Sequence, residues 1–243
     1  MTAAAERLGG LAEEIHSCTR CPRLVEWRNA VADDPPKRFR GERYWRRPIS
    51  GFGDPRAAIV VVGLAPAAHG ANRTGRVFTG DRSGEWLFGS MYRCGLANQP
   101  VSVSADDGLR LSDAWVTAVN RCAPPANKPT PTERDNCLPY LVRELRLLER
   151  ARVLLALGSY GWDGALHALA GLGIERPRPK PRFGHGAEAG IGPYTLLGCF
   201  HPSQQNTFTG KLTEPMTDAV FTRARALSSG GDGGGGAGAR GQT

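Results

Sequence analysis

Four short runs of β-branched and other apolar residues stand out along the chain: Ala58 to Gly63, Ala114 to Asn120, Ala151 to Gly158 and Tyr194 to Phe200. Each reads as a strand. Between and after them apolar positions recur at helical spacing, at about Ser83 to Leu96, Thr132 to Arg150, Ser159 to Leu172 and Thr213 to Leu227, with Pro139 interrupting the second. An amphipathic stretch from Ala4 to His16 supplies an earlier helix. Strands alternating with helices predict an α/β fold, a single domain with a central, mostly parallel four-stranded sheet flanked by helices on both faces. Ligands of such sheets sit outside the carboxyl ends of the strands. There the sequence places its unusual residues: Gly63-Leu64-Ala65-Pro66, Asn120, Gly158-Ser159 and His201-Pro202-Ser203.

Two segments break the pattern. From Asp33 to Gly53 the chain is dense in Pro, Gly, Arg and aromatics and has neither period, so it reads as an irregular basic loop. From residue 228 to 243 almost no apolar side chain remains, which predicts a disordered glycine-rich tail behind a domain spanning 1–227. Composition adds a partner class. Lys and Arg outnumber Asp and Glu 31 to 23, a net charge of +8 that suits a polyanion, although basic proteins without such a partner are common. The amino terminus lacks a basic flank followed by an apolar run, and no stretch nears the roughly 20 apolar residues that cross a bilayer. A cytosolic monomer without membrane contact is therefore expected.

In a reducing compartment the six cysteines point to metal, buried thiols or catalysis rather than disulfides. Cys18 and Cys21 form a C-x2-C pair, while Cys122 and Cys137 lie about a hundred positions later. Four thiolates suit either zinc or an iron–sulfur cluster, and spacing alone leaves both open beside unrelated thiols. Cys94 and Cys199, in apolar surroundings, read as ordinary buried thiols.

The stretch GLAPAAHGANRTGRVFTGD, Gly63 to Asp81, reads as a wrapped loop whose glycines let backbone approach a ligand. It matches no nucleotide-phosphate motif. Within it Phe78 is either core or a stacking platform. Asp81 is either a helix cap or a reacting carboxylate. Asn120 either satisfies strand-end backbone or reads the edge of a base, and His201 either sits in a turn or steadies a developing oxyanion. Gathered on one rim of one sheet, these groups make a candidate site.

Together with HPSQQNTFTGKLT at His201 to Thr213, AVNRCAPP around Asn120 and the four cysteines, this loop resembles the uracil-DNA glycosylase superfamily, specifically its family 5, the type B enzymes. The resemblance spans Cys18 to Thr213. It implies hydrolysis of the N-glycosidic bond of a base flipped out of DNA, in the cytoplasm and in association with the nucleoid during repair. It also implies a [4Fe–4S] cluster on Cys18, Cys21, Cys122 and Cys137. It assigns Asp81, Asn120 and His201 to catalysis and Gly63, Ala65, Ala68, Phe78, Asn120 and His201 to the base pocket. Arg73, Ser203, Gln204, Gln205 and Asn206 fall to DNA contact. Superfamily members whose first motif reads GQDPYH carry their water-activating Asp where this chain has Ala65, and Ala67 replaces a bulky tyrosine. A roomier pocket that takes uracil and other deaminated bases such as hypoxanthine is expected. Gln205 or Phe208 is the wedge candidate, and Arg38, Arg40, Arg46 and Arg47 are candidate phosphate contacts or simply a solvated basic loop. Two competing readings are a lesion-binding iron–sulfur protein without turnover and an electron carrier. The carrier needs neither a base-sized pocket nor an HPS loop.

Overall fold

The computed structural model describes residues 2–229. Two helices, α1 (Ala3–His16) and α2 (Pro22–Asp33), precede β1 (Phe52–Gly53), β2 (Ile59–Gly63), α3 (Ala71–Thr74), α4 (Arg82–Arg93) and β3 (Ala114–Ala118). There follow α5 (Pro131–Leu147), β4 (Val153–Leu157), α6 (Gly158–Gly171), β5 (Glu188–Ile191), β6 (Tyr194–Cys199), α7 (Gln204–Phe208) and α8 (Glu214–Ser229). The sheet order is β1-β3-β2-β4-β6-β5. The four expected strands are its parallel centre, and β1 and β5 add antiparallel edges, making six rather than four. Both edges escaped the apolar pattern because β1 is two residues long and β5, EAGI, is mostly solvent-facing.

Burial on both faces explains the unbroken apolar runs. Along β2, Ile59 and Val61 join the core beneath α4 and α8, while Val60 and Val62 join the one beneath α5 and α6. All four are fully buried. At ~25 cal/mol per Å² of apolar area removed from water, such side chains contribute roughly 1.5–3 kcal/mol each before entropy is counted. α5 runs through Pro139 without the expected interruption. The ring forfeits one backbone hydrogen bond, but a capping box between Thr130 and Glu133 starts the helix firmly, and Tyr140, Leu141 and Leu145 seat it in the cores.

The second helix, α2, was missed. Pro22 fixes its first turn, and Leu24, Arg28 and Val31 form its buried side. The segment 33–53 is also more structured than an irregular loop implies. Tyr44 and Ile49 are buried, and the Trp45 N–H donates to the Arg73 carbonyl at 3.0 Å, strapping the segment onto the glycine-rich loop. At the other end α8 continues to Ser229, two residues past the expected domain boundary, and the remainder of the glycine-rich tail lies outside the described residues. Among the described residues no helix is long and apolar enough to cross a membrane.

Candidate active site

The loops after β2 and β6 enclose a cavity of about 600 Å³ at the carboxyl edge of the sheet, lined by Ala65, Ala67, Phe78, Asp81, His201 and Gln205 among others. Its position follows from the sheet, because every parallel strand delivers its following loop to this edge. Close packing of the first loop depends on missing side chains. A Cβ on Gly70 would stand 2.0 Å from an Asp81 carboxylate oxygen, and one on Gly63 would stand 2.6 Å from the Phe78 ring. Gly63 is thus a floor under the aromatic ring rather than part of the cavity wall. Phe78 holds φ at +52°, a strained conformation for a side chain this large, worth on the order of 1–3 kcal/mol. Its ring centre is 6.0 Å from that of His201, so the two rings border the same space.

Asp81 serves two ends. Its Oδ1 accepts the Gly84 N–H at 3.0 Å and caps α4, and the same carboxylate lines the cavity. Burial pushes its pKa up, against the pull of the Gly84 and Ser83 amides. Opposite it, burial lowers His201 to about 4, so its imidazole is neutral near pH 7. The His201 carbonyl accepts from the Ser203 N–H at 2.8 Å and from Asn206 Nδ2 at 2.9 Å, which fixes the turn.

Asn120 is fully buried and is not in the cavity wall as the free protein stands. The hydroxyl of Tyr160, on the first turn of α6, donates to its Oδ1 at 2.7 Å, while Nδ2 is buried without a partner. The amide is therefore held with its acceptor spent and its donor free. Tyr160 was missed because nothing in the sequence ties residue 160 to residue 120; only the packing of α6 against the segment that follows β3 does.

The DNA-contact candidates divide. Ser203 caps α7, Gln204 and Gln205 are exposed beside the cavity, and Phe208 is 63% exposed with the Arg82 guanidinium 4.5 Å above its ring. Asn206 holds the HPS turn with its amide. Arg73, expected at DNA, spends its guanidinium inside the protein: on Glu42 at 2.6 Å, the Gly80 carbonyl at 3.0 Å and the His69 carbonyl at 2.9 Å. Arg46 is likewise paired with Asp33 and the Asn29 carbonyl. Arg38, Arg40 and Arg47 remain exposed. A second cavity of about 450 Å³, into which Ala68 faces, shares Ala67, Asp81, Arg82, Asn127 and Gln204 with the first and reaches Arg38. Arg82 and Asn127 line both cavities, though no motif marked either one.

The four cysteines are gathered at one corner, where the end of α1, the start of α2, the loop after β3 and α5 meet. Cys21 packs with Leu24 against Cys122. Cys122 lies within electrostatic reach of Cys137 and Cys18, and Cys137 within reach of Cys21 and Cys18. Burial raises Cys122 to about 12 and Cys137 to about 11. Among the described residues no group of three His, Cys, Asp or Glu side chains converges on one metal-ion position. Cys94 and Cys199 stay apart as buried thiols, Cys199 fully enclosed in β6.

A family model described as the uracil DNA glycosylase superfamily matches residues 50–225. A type-5 uracil-DNA glycosylase of Mycobacterium tuberculosis is 52% identical over 217 residues, covering 88% of this chain and 79% of that protein. One from Mycobacterium leprae is 46% identical over 230 residues, covering 94% and 99%. One from Thermus thermophilus is 47% identical over 217 residues, covering 89% and 96%. With the glycine-rich loop, the HPS turn and the cavity between them at the expected edge of the sheet, the chain belongs to the uracil-DNA glycosylase superfamily.

Proposed function

We propose that the chain is a DNA-repair glycosylase that hydrolyses the N-glycosidic bond of a flipped-out uracil and leaves an abasic site. The observation that carries this reading is the pairing of a half-buried carboxylate, Asp81, with a neutral imidazole, His201, across one base-sized cavity. As the bond from C1′ to the base breaks, its electron pair goes to the base and positive charge grows on the sugar. Asp81 stabilises that charge and orients the water whose hydroxyl closes on C1′, the water's remaining proton neutralising the departing base anion. His201 offers an N–H to the O2 side of the base, where negative charge collects. Phe78 stacks on the base, and the free Nδ2 of Asn120 donates to its edge carbonyl once the pocket admits it.

Alanines at 65 and 67 leave room beyond uracil, so hypoxanthine and other deaminated bases are accepted as well. Ser203, Gln204 and Gln205 hold the strand on the HPS side. Arg38 and Arg82, at the second cavity, meet neighbouring phosphates. Gln205 or Phe208 fills the gap that the flipped base leaves. The protein acts as a cytoplasmic monomer.

A [4Fe–4S] cluster on Cys18, Cys21, Cys122 and Cys137 suits the cysteine corner better than a zinc ion does. Thiolates that each hold a separate iron stand apart around the cluster, whereas zinc draws four sulfurs to one point. Bound by these cysteines, the cluster would join the amino-terminal segment to the sheet, and bond cleavage is left to Asp81, Asn120 and His201. Incubating the protein with uracil-containing duplex and then cleaving abasic sites with alkali tests the activity. Strand breaks at uracil that vanish with Asp81→Asn are expected, and intact strands with the unaltered protein would refute it.

A further inference from the structure

Among the described residues three arginines are almost fully buried: Arg28, Arg76 and Arg121. Two have carboxylate partners, since Arg76 meets Asp107 at 2.8 Å and Arg121 meets Glu144 at 2.7 Å. Arg28, on α2 and 6% exposed, has none among the described residues. Its Nη1 donates instead to Cys122 Sγ at 3.0 Å, and its Nε is buried without a partner. An isolated guanidinium in such a place costs several kcal/mol. Among the described residues the cysteine corner is the only source of compensating negative charge that the arginine touches. A second donor, Asn136 Nδ2, points at Cys21 Sγ from 3.5 Å.

We propose that Arg28 is the fixed counter-ion of the four-cysteine site. The inference rests on the cluster reading above. Four thiolates around an iron–sulfur core carry net negative charge, and a buried guanidinium hydrogen-bonded to one sulfur offsets it. Cluster potentials respond to net charge and to hydrogen bonds on sulfur, so Arg28 holds the potential up by favouring the electron-richer state. The backbone at Arg28 also joins α2 to the glycine-rich loop. Its carbonyl accepts from Asn72 Nδ2 at 3.1 Å, and Asn72, on α3, donates its own N–H to the Ala67 carbonyl at 3.1 Å in the cavity wall. The contact thus ties the cysteine corner to the glycine-rich loop.

The test compares purified holoprotein of the wild type with Arg28→Lys and Arg28→Met, reading iron per chain, the visible absorption of the cluster and its reduction potential. The potential is expected to move to more negative values in the order wild type, Lys, Met. If Arg28→Met binds no iron while Arg28→Lys does, the need for a positive charge is upheld. Arg28→Met with full iron and an unchanged potential would overturn the counter-ion role. Equal loss of iron from both folded variants would overturn it too, because charge alone would then be insufficient. A wild-type preparation without iron would defeat the cluster reading and this inference with it, whereas uracil excision by that preparation would leave the glycosylase assignment standing.

Discussion

Two neighbours at the end of β3 place their polar groups in opposite circumstances. Arg121 turns inward, where its guanidinium bonds both oxygens of Glu144 and the Thr117 hydroxyl, with both charged side chains 2% exposed. Glu144 also accepts from the Gly51 N–H and the Thr117 hydroxyl, so little is left over except Arg121 Nε. Asn120, one residue earlier, is just as buried, yet half its amide has no partner. Around the cavity Asp81 is destabilised as a carboxylate and His201 as an imidazolium. The first arrangement is a structural network that has consumed its hydrogen-bonding capacity. The second holds capacity in reserve at a cost to stability, as a site that must engage a substrate does.

The largest effect should come from breaking the closed network. Glu144→Ala leaves Arg121 buried and uncompensated and should cost about 3–5 kcal/mol in urea denaturation. Excision per folded molecule should change far less. Restoring an apolar pair with Glu144→Leu and Arg121→Met should recover much of the stability. A mild effect of the single substitution would mean that water reaches the ion pair.

Asp81→Asn sharpens the contrast from the cavity side. Asparagine caps a helix about as well as aspartate, so the melting temperature should hold. Excision should fall on the order of 10²–10³-fold, the range for losing one electrostatic stabiliser of a transition state. Parallel losses of stability and activity would reduce Asp81 to a cap.

Tyr160→Phe should act more modestly. It removes the hydroxyl that commits Asn120 to donating, a hydrogen bond worth about 0.5–1.5 kcal/mol. The released amide can rotate and offer its oxygen to an amino group. Excision of uracil should drop by roughly tenfold or less, and discrimination against cytosine should fall with it. Unchanged discrimination would show that something other than Tyr160 orients the amide.

How far these features were legible follows from how local their causes are. The parallel centre of the sheet was readable because double-sided burial writes a continuous apolar run, as in IVVVG. β5 was not, since an edge strand facing solvent carries no such signature. Asp81 was readable either as a cap, because it stands just before a helical run, or as a reacting carboxylate, and only the fold shows the one side chain both capping α4 and lining the cavity. Neither Arg28 nor Tyr160 was marked by any motif in the sequence. Each acquires its partner across a sequence separation of 94 or 40 residues, which no local pattern encodes. The intramolecular partners of Arg73 were unreadable for the same reason, since all three are set by the way the loop closes on itself and on Glu42.

The pH dependence separates the two titrating groups of the cavity by sign. Excision needs Asp81 ionised and His201 neutral. His201, at about 4, stays neutral from pH 8 down past 5, so it should leave no inflection there. Asp81, raised by burial, takes up its proton more readily on acidification than an ordinary aspartate and should contribute to the acid limb of kcat/KM. Stability distinguishes them further. His201 titrates at about 4 when folded and near 6.5 when unfolded. Between those values the unfolded chain holds a proton that the folded chain lacks, so stability is lost as pH falls through that window. For Asp81 the folded pKa is the higher one. The folded chain therefore holds the extra proton just above 3.8, and acidification through that range restores stability. Urea midpoints at pH 7 and pH 5 should draw closer together in His201→Gln than in the wild type. An identical acid loss in both proteins would place the imidazole in water, and with it the claim that this rim keeps a neutral donor ready for the base.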